Sequence, residues 1–329
     1  MRFLELNILV FLAGIVSLTA SSQNQADSCM FAFSFVTTEF AVENSIQICT
    51  DSSRIPFQYE AEINLPVCDD TLCANVILIL YWDLAGNYKG FDAIPGKPLT
   101  KFDHIRFDSS DYQKLDQILK NRNSMLRILN KEDLIDKSVR VKSNVVDAVT
   151  GATPKTIKNS VVEGAVYSSF TLWHFVNGAI KEKMAGFTQG IYSEPVARQL
   201  LLSDNYETQL FALRKLSEKD FEIHSDLLFE VIGQSAPIIK AYIIAKMPLP
   251  FENIGKNKQL IALFPELDDY SKSIFLNRIT TEEKVALSML PLVNPIFGNF
   301  SKKQKELITS AFLKFEIPGV EDLLNGSSY

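Results

Sequence analysis

The hydrophobic pattern changes period once along this chain, and that change limits the fold more than any other feature. From Met30 to about Ile94 the residues read as strands. "MFAFSFVTTEF" alternates in part, "FQYEAEINL" alternates well, and "NVILILYWD" is a continuous β-rich run ending in the turn "DLAGNYKG". The unbroken apolar run Val76 to Tyr81 predicts a strand covered on both faces. "SSDYQKLDQILKN" predicts a short helix with a serine cap, and "KSVRVKSNVVDAVTG" returns to strand alternation. From Pro154 onward almost everything is helical. "PKTIKNSVVEGAVYSSFTLWHFVNGAIKEKM" reads as one long helix, with proline at its first position. Beyond it come amphipathic pieces of about three turns, separated by Asp, Asn, Gly, Ser or Pro. Strands first and helices after predict an α+β protein rather than an alternating α/β one.

The N-terminus narrows the compartment. Arg2, the apolar run from Ile8 to Val16 and the small residues up to Ala20 match a secretory signal, removed near Ala20. The apolar run is short of the roughly 20 residues that span a bilayer. A lipoprotein would need a cysteine at the cleavage point, whereas Cys29 lies farther on. The expected location is therefore periplasmic or extracellular. In an oxidising compartment the four cysteines favour disulfides, and four cysteines allow three pairings. Sequence does not choose among them; Cys29 with Cys49 and Cys68 with Cys73 is the expectation adopted. "CDDTLC" lacks the two-residue spacing of a thioredoxin-like redox motif, and the histidines 104, 174 and 224 have no ligand spacing for zinc.

An apolar fraction of 47% supports a folded core, and a net charge of -6 with no basic run argues against nucleic-acid binding. The chain carries no Gly-x-Ser-x-Gly elbow, no phosphate-binding glycine loop and no His-Glu-x-x-His motif, so no catalytic residue is assigned. Asn299-Phe300-Ser301 and Asn325-Gly326-Ser327 fit the glycosylation sequon, but a signal peptide does not by itself establish a host that uses it.

The stretch "DAVTGATPKT" carries the one motif with chemistry. Thr153 before Pro154 has the position of an N-cap, and Gly151 permits a tight turn into a helix. The same geometry serves an anion site, because a helix N-terminus presents unpaired N–H groups. "DAVTGAT" also resembles the FMN-attachment motif of the FMN-binding domain family, which includes the flavin subunits of sodium-pumping NADH:quinone reductases and of Rnf-type complexes. The resemblance covers about residues 76–175. It implies that a flavin transferase links FMN through its phosphate to Thr153, reading Asp147, Thr150, Gly151 and Ala152. Tyr88 and Tyr167 would then be the flavin contacts, each able to present a polar tip to a ring. His104 is a candidate for proton coupling, with a surface loop histidine as the plain alternative.

On that resemblance the chain divides into a signal peptide at 1–20, a β-rich segment with the cysteines at 21–75, an FMN-binding-like domain at 76–185 and a helical domain at 186–329. "NYETQLFALRKLS" resembles a helix of the HEAT-like or armadillo-like solenoids; without a clean period, an irregular bundle fits equally. The expected function is an exported flavoprotein that passes electrons from a membrane-associated redox donor to an extracytoplasmic acceptor, with a protein partner on the C-terminal helices. The alternative is an exported helical interaction or scaffold protein without a cofactor.

Overall fold

The computed structural model describes residues 28–68, 73–134, 136–142, 149–152 and 157–319, with the backbone only for 136–142 and 149–152. Five strands form an antiparallel meander in chain order: β1 (Ser28–Val36), β2 (Glu43–Thr50), β3 (Pro56–Leu65), β4 (Val76–Trp82) and β5 (Tyr88–Ala93). A separate ribbon pairs β6 (Asp136–Lys142) with β7 (Val149–Ala152). The helices are α1 (Ser109–Lys120), α2 (Val166–Asn177), α3 (Ala179–Gly190), α4 (Glu194–Leu201), α5 (Tyr206–Leu213) and α6 (Glu218–Ile223). They continue with α7 (Ser225–Gln234), α8 (Pro237–Lys246), α9 (Ile254–Ala262), α10 (Asp269–Thr281), α11 (Glu283–Met289) and α12 (Lys302–Lys314). The α+β class read from the sequence is the class observed.

The sheet is covered on one face, which corrects the expectation for β4. Val76, Leu78, Leu80 and Trp82 are buried, while Ile77, Ile79 and Tyr81 are only half-buried. Their cross-strand neighbours are Asn64, Glu62 and Glu60 of β3, and a face carrying these polar groups stays against water. A continuous apolar run thus arose in a strand with one dry side. On that side α2 and α3 close the core. The Trp82 indole N–H donates to the Val176 carbonyl at 3.2 Å, and the Tyr59 hydroxyl bonds to Thr188 at 2.7 Å. Burial pushes the Tyr59 phenol up to about 12.

The long helix expected from Pro154 does not form. Residues 157–165 hold a turn, a single 3-10 turn at Lys158–Ser160 and a further turn, and the first α-helix begins at Val166 with Ala165 as its cap. Gly178 then separates α2 from α3: a Cβ there would collide with the His174 carbonyl oxygen. Helical periodicity carries through this break because both halves face the same core. Thr153 as the cap of a helix running through Met184 is therefore ruled out by the chain that follows it.

Side-chain caps mark the start of several other helices. α1 is capped by Asp108, one residue before the serines expected in that role, because its carboxylate accepts from Ser110 and Asp111 while Asp111 bonds back to its N–H. Ser217 and Ser301 form the same reciprocal box at α6 and α12, and the side chains of Asn205, Asn253 and Asp268 accept from a first-turn N–H of α5, α9 and α10. α4 packs on α5, α5 on α8, α8 on α10 and α10 on α12, so the helical half stacks progressively away from the sheet. One continuous hydrophobic cluster runs from Ile46 of β2 to Phe312 of α12.

Candidate functional site

The sheet and the helical stack meet at the turn between β4 and β5, "DLAGNY". Asp83 shapes it: one carboxylate oxygen accepts from the N–H groups of Ala85 at 2.9 Å and Asn87 at 2.8 Å. Gly86 takes φ +78° and passes so close to α3 that a Cβ would stand 2.7 Å from the Lys181 carbonyl oxygen. The turn can dock on the helices only with glycine there.

From this turn a polar network spreads to three helical regions. The Asn87 amide, 3% exposed, donates to Asp83 at 3.0 Å and to the Thr208 hydroxyl of α5 at 2.9 Å. Thr208 in turn donates to Asp83. Arg122, just past α1, donates to the side-chain amide oxygen of Asn87, Oδ1, at 3.2 Å and pairs with Glu207. Lys181 of α3 reaches the same Glu207 carboxylate at 3.3 Å. Burial, reinforced by the charge of Arg122 and opposed by Asp83, lowers the Lys181 ammonium to about 8. The network closes on itself: each buried member has a partner, as a stable junction requires.

Beside the network lies a cleft of ≈ 600 Å³ between β3, the turn and the α4–α5 corner. Phe57, Leu84, Tyr88, Leu200 and Leu202 supply its apolar wall; Lys89, Gln199, Ser203 and Asp204 supply polar groups. Gln199 and Asp204 are exposed, whereas Leu200 and Leu84 are buried. Its volume falls within the range of small-molecule sites, and its lining is mixed, Asp83, Asn205 and Thr208 adding further polar groups to the apolar residues.

Of the residues singled out in the sequence, Tyr88 lines this cleft, and its hydroxyl donates to Asp116 of α1 at 3.2 Å. Burial and the neighbouring Asp116 carboxylate push its phenol far up. Tyr167 lies elsewhere, in the first turn of α2, with the Lys131 ammonium 5.7 Å from its ring. Lys131 also sits 4.5 Å from the Phe40 ring and 2.6 Å from Glu39. Thr150, Gly151 and Ala152 form β7, where Thr150 pairs with Val141, Gly151 with Arg140 and Ala152 with Asp136. Asp147 and Thr153 fall outside the described residues. His104 is exposed in a 3-10 turn.

A flavin ring needs open aromatic or apolar walls. Several aromatic side chains of 76–175 are committed to the core or to fixed hydrogen bonds, whereas Phe102 is exposed and Tyr88 lines the cleft. Trp82 is 0% and Trp173 3% exposed, and both indole N–H groups are bonded to main-chain carbonyls. Tyr81 donates to Asp92, and Phe91 packs against Tyr112 at 6.1 Å.

The expected disulfides are formed: Cys29 joins Cys49 across β1 and β2, with Cα atoms 4.0 Å apart, and Cys68 joins Cys73. The one metal-type cluster among the described residues, Cys29, Cys49 and Glu60, has both sulfurs committed to that bridge. No described helix is long and apolar enough to cross a membrane. Sequence reasoning marked the "DLAGNYKG" turn but missed Arg122, Lys181, Glu207 and Thr208. The available signal was weak: three consecutive polar residues, Glu207, Thr208 and Gln209, ahead of the apolar end of α5.

No protein-family model matches the chain, and neither a curated protein nor a solved structure matches it.

Proposed function

We propose that this is an exported binding protein whose cleft at the junction of sheet and helices holds a small amphipathic molecule. The observation that supports it is the cleft itself, ≈ 600 Å³ with apolar and polar groups both in its lining, set against a fully satisfied polar network. Such a network holds the wall in place before any ligand arrives, which lowers the ordering cost of binding. Disulfides agree with an oxidising compartment outside the cytoplasm. The test is an NMR screen of the labelled protein against pooled amino acids, nucleotides and sugars. Binders should shift the amides of Leu84, Lys89 and Ser203 together, and Leu202→Arg should abolish the shifts. Binders that map elsewhere, or none at all, would remove the reading.

The second reading is the flavoprotein, with FMN on Thr153 through a phosphoester and electron transfer from a membrane-side donor to an extracytoplasmic acceptor. It is favoured by the placement of Thr150, Gly151 and Ala152 in an extended two-stranded ribbon apart from the five-stranded sheet, a form that a transferase can take into its own site. Against it stands the burial of Trp82 and Trp173, whose indole N–H groups are both bonded to main-chain carbonyls. Co-expression with a flavin transferase, followed by intact mass and visible spectrum, separates the readings. A gain of one FMN less water, lost in Thr153→Ala, supports the carrier. An unmodified mass, with a known substrate modified in the same cells, removes it.

A further inference from the structure

We propose that Asn299 is the acceptor of an N-linked glycan. Of the two sequons in the chain, Asn299-Phe300-Ser301 lies within the described residues, between a 3-10 segment (Asn294–Asn299) and α12. Asn299 is exposed, and its side-chain amide makes no hydrogen bond within the described residues. The space beside it is open: a Cβ on the neighbouring Gly298 would meet nothing within 4 Å. Ser301, the other residue a transferase reads, is also exposed as the cap of α12.

Phe300 explains how a bulky sugar is tolerated. Its ring is 4% exposed and lies 4.4 Å from the Phe264 ring, so the backbone is pinned from below while the side chains on either side point away from the core. A glycan on Asn299 therefore displaces no packed group.

The step balances with one co-reactant, a polyprenyl-diphosphate-linked oligosaccharide. The bond between its first sugar carbon and the phosphate oxygen breaks, a bond from that carbon to Asn299 Nδ2 forms, Nδ2 loses a proton, and polyprenyl diphosphate leaves. The proposal rests on the export part of the reading above and is independent of the cleft.

The full chain would be secreted from a eukaryotic host, once with its own N-terminus and once behind a foreign secretion signal. Peptide N-glycosidase should lower its mass by one oligosaccharide and convert residue 299 to aspartate in the peptide map. Asn299→Gln should lose that modification, and Ser301→Thr, which keeps both sequon and cap, should retain it. Secreted protein with intact disulfides and an unmodified Asn299 overturns the proposal. If only the foreign signal gives secretion and Asn299 is then occupied, the acceptor stands and the export reading of the N-terminus falls.

Discussion

The Asn87 amide donates to the Thr208 hydroxyl at 2.9 Å, across 121 residues of chain, and so ties the sheet to the helical stack at one buried point. Thr208→Val keeps the shape of the side chain but leaves one amide N–H of Asn87 unsatisfied and removes one of the two donors to Asp83 Oδ2. The expected loss is about 1–3 kcal/mol, read by urea denaturation, with Thr208→Ser close to wild type. Equal stabilities for the valine and serine variants would show that the hydroxyl does not hold the junction.

Gly86→Ala places a methyl group 2.7 Å from the Lys181 carbonyl oxygen at φ +78°. Its cost should exceed about 1 kcal/mol. Gly90→Ala in β5 is the control, since nothing lies within 4 Å of its Cβ position. It should change stability by no more than about 0.5 kcal/mol. A tolerated Gly86→Ala would mean that the turn can dock in another way.

Stability should rise with pH on the alkaline side. The Lys181 ammonium is lowered from 10.5 to about 8 by burial, so between these values the unfolded chain binds more protons than the folded one. Unfolding then becomes less favourable as pH increases, because the folded state is relieved of a buried charge. The clear window runs from about 8 to 10.0, the ordinary tyrosine value, above which the raised Tyr59 works in the opposite direction. Lys181→Met should flatten the rise in a chemical-denaturation series; an unchanged slope would assign it to other groups.

The two disulfides should differ in weight. Cys29 and Cys49 are 20 residues apart and Cys68 and Cys73 are 5 apart. Loop-closure entropy gives about 3 kcal/mol for the longer loop and about 2 kcal/mol for the shorter. Paired Cys→Ser variants should follow that order in denaturant midpoint, and the reverse order would indicate that native packing outweighs the unfolded-chain effect.

How much was legible follows the range of the interactions. The helices of the second half were visible because periodicity and breakers act within a few residues, and Asn205, Ser217 and Ser301 stand where they cap. The break at Gly178 was hidden, since both sides of it carry core residues and only the close approach to His174 requires glycine. Tyr88 was marked for its place in a turn, but its cleft depends on Phe57, Leu200 and Leu202, residues from two other parts of the chain.

Local chemistry alone thus specified an α+β chain, strands first, with disulfide-forming cysteines before a run of short capped helices. Folding decided which face of β4 is dry, where the long apolar stretch after Pro154 breaks, and which polar residues meet around Asn87. Those outcomes depend on contacts between distant segments, where burial removes water from whichever surfaces come together, and no short window of sequence carries that information.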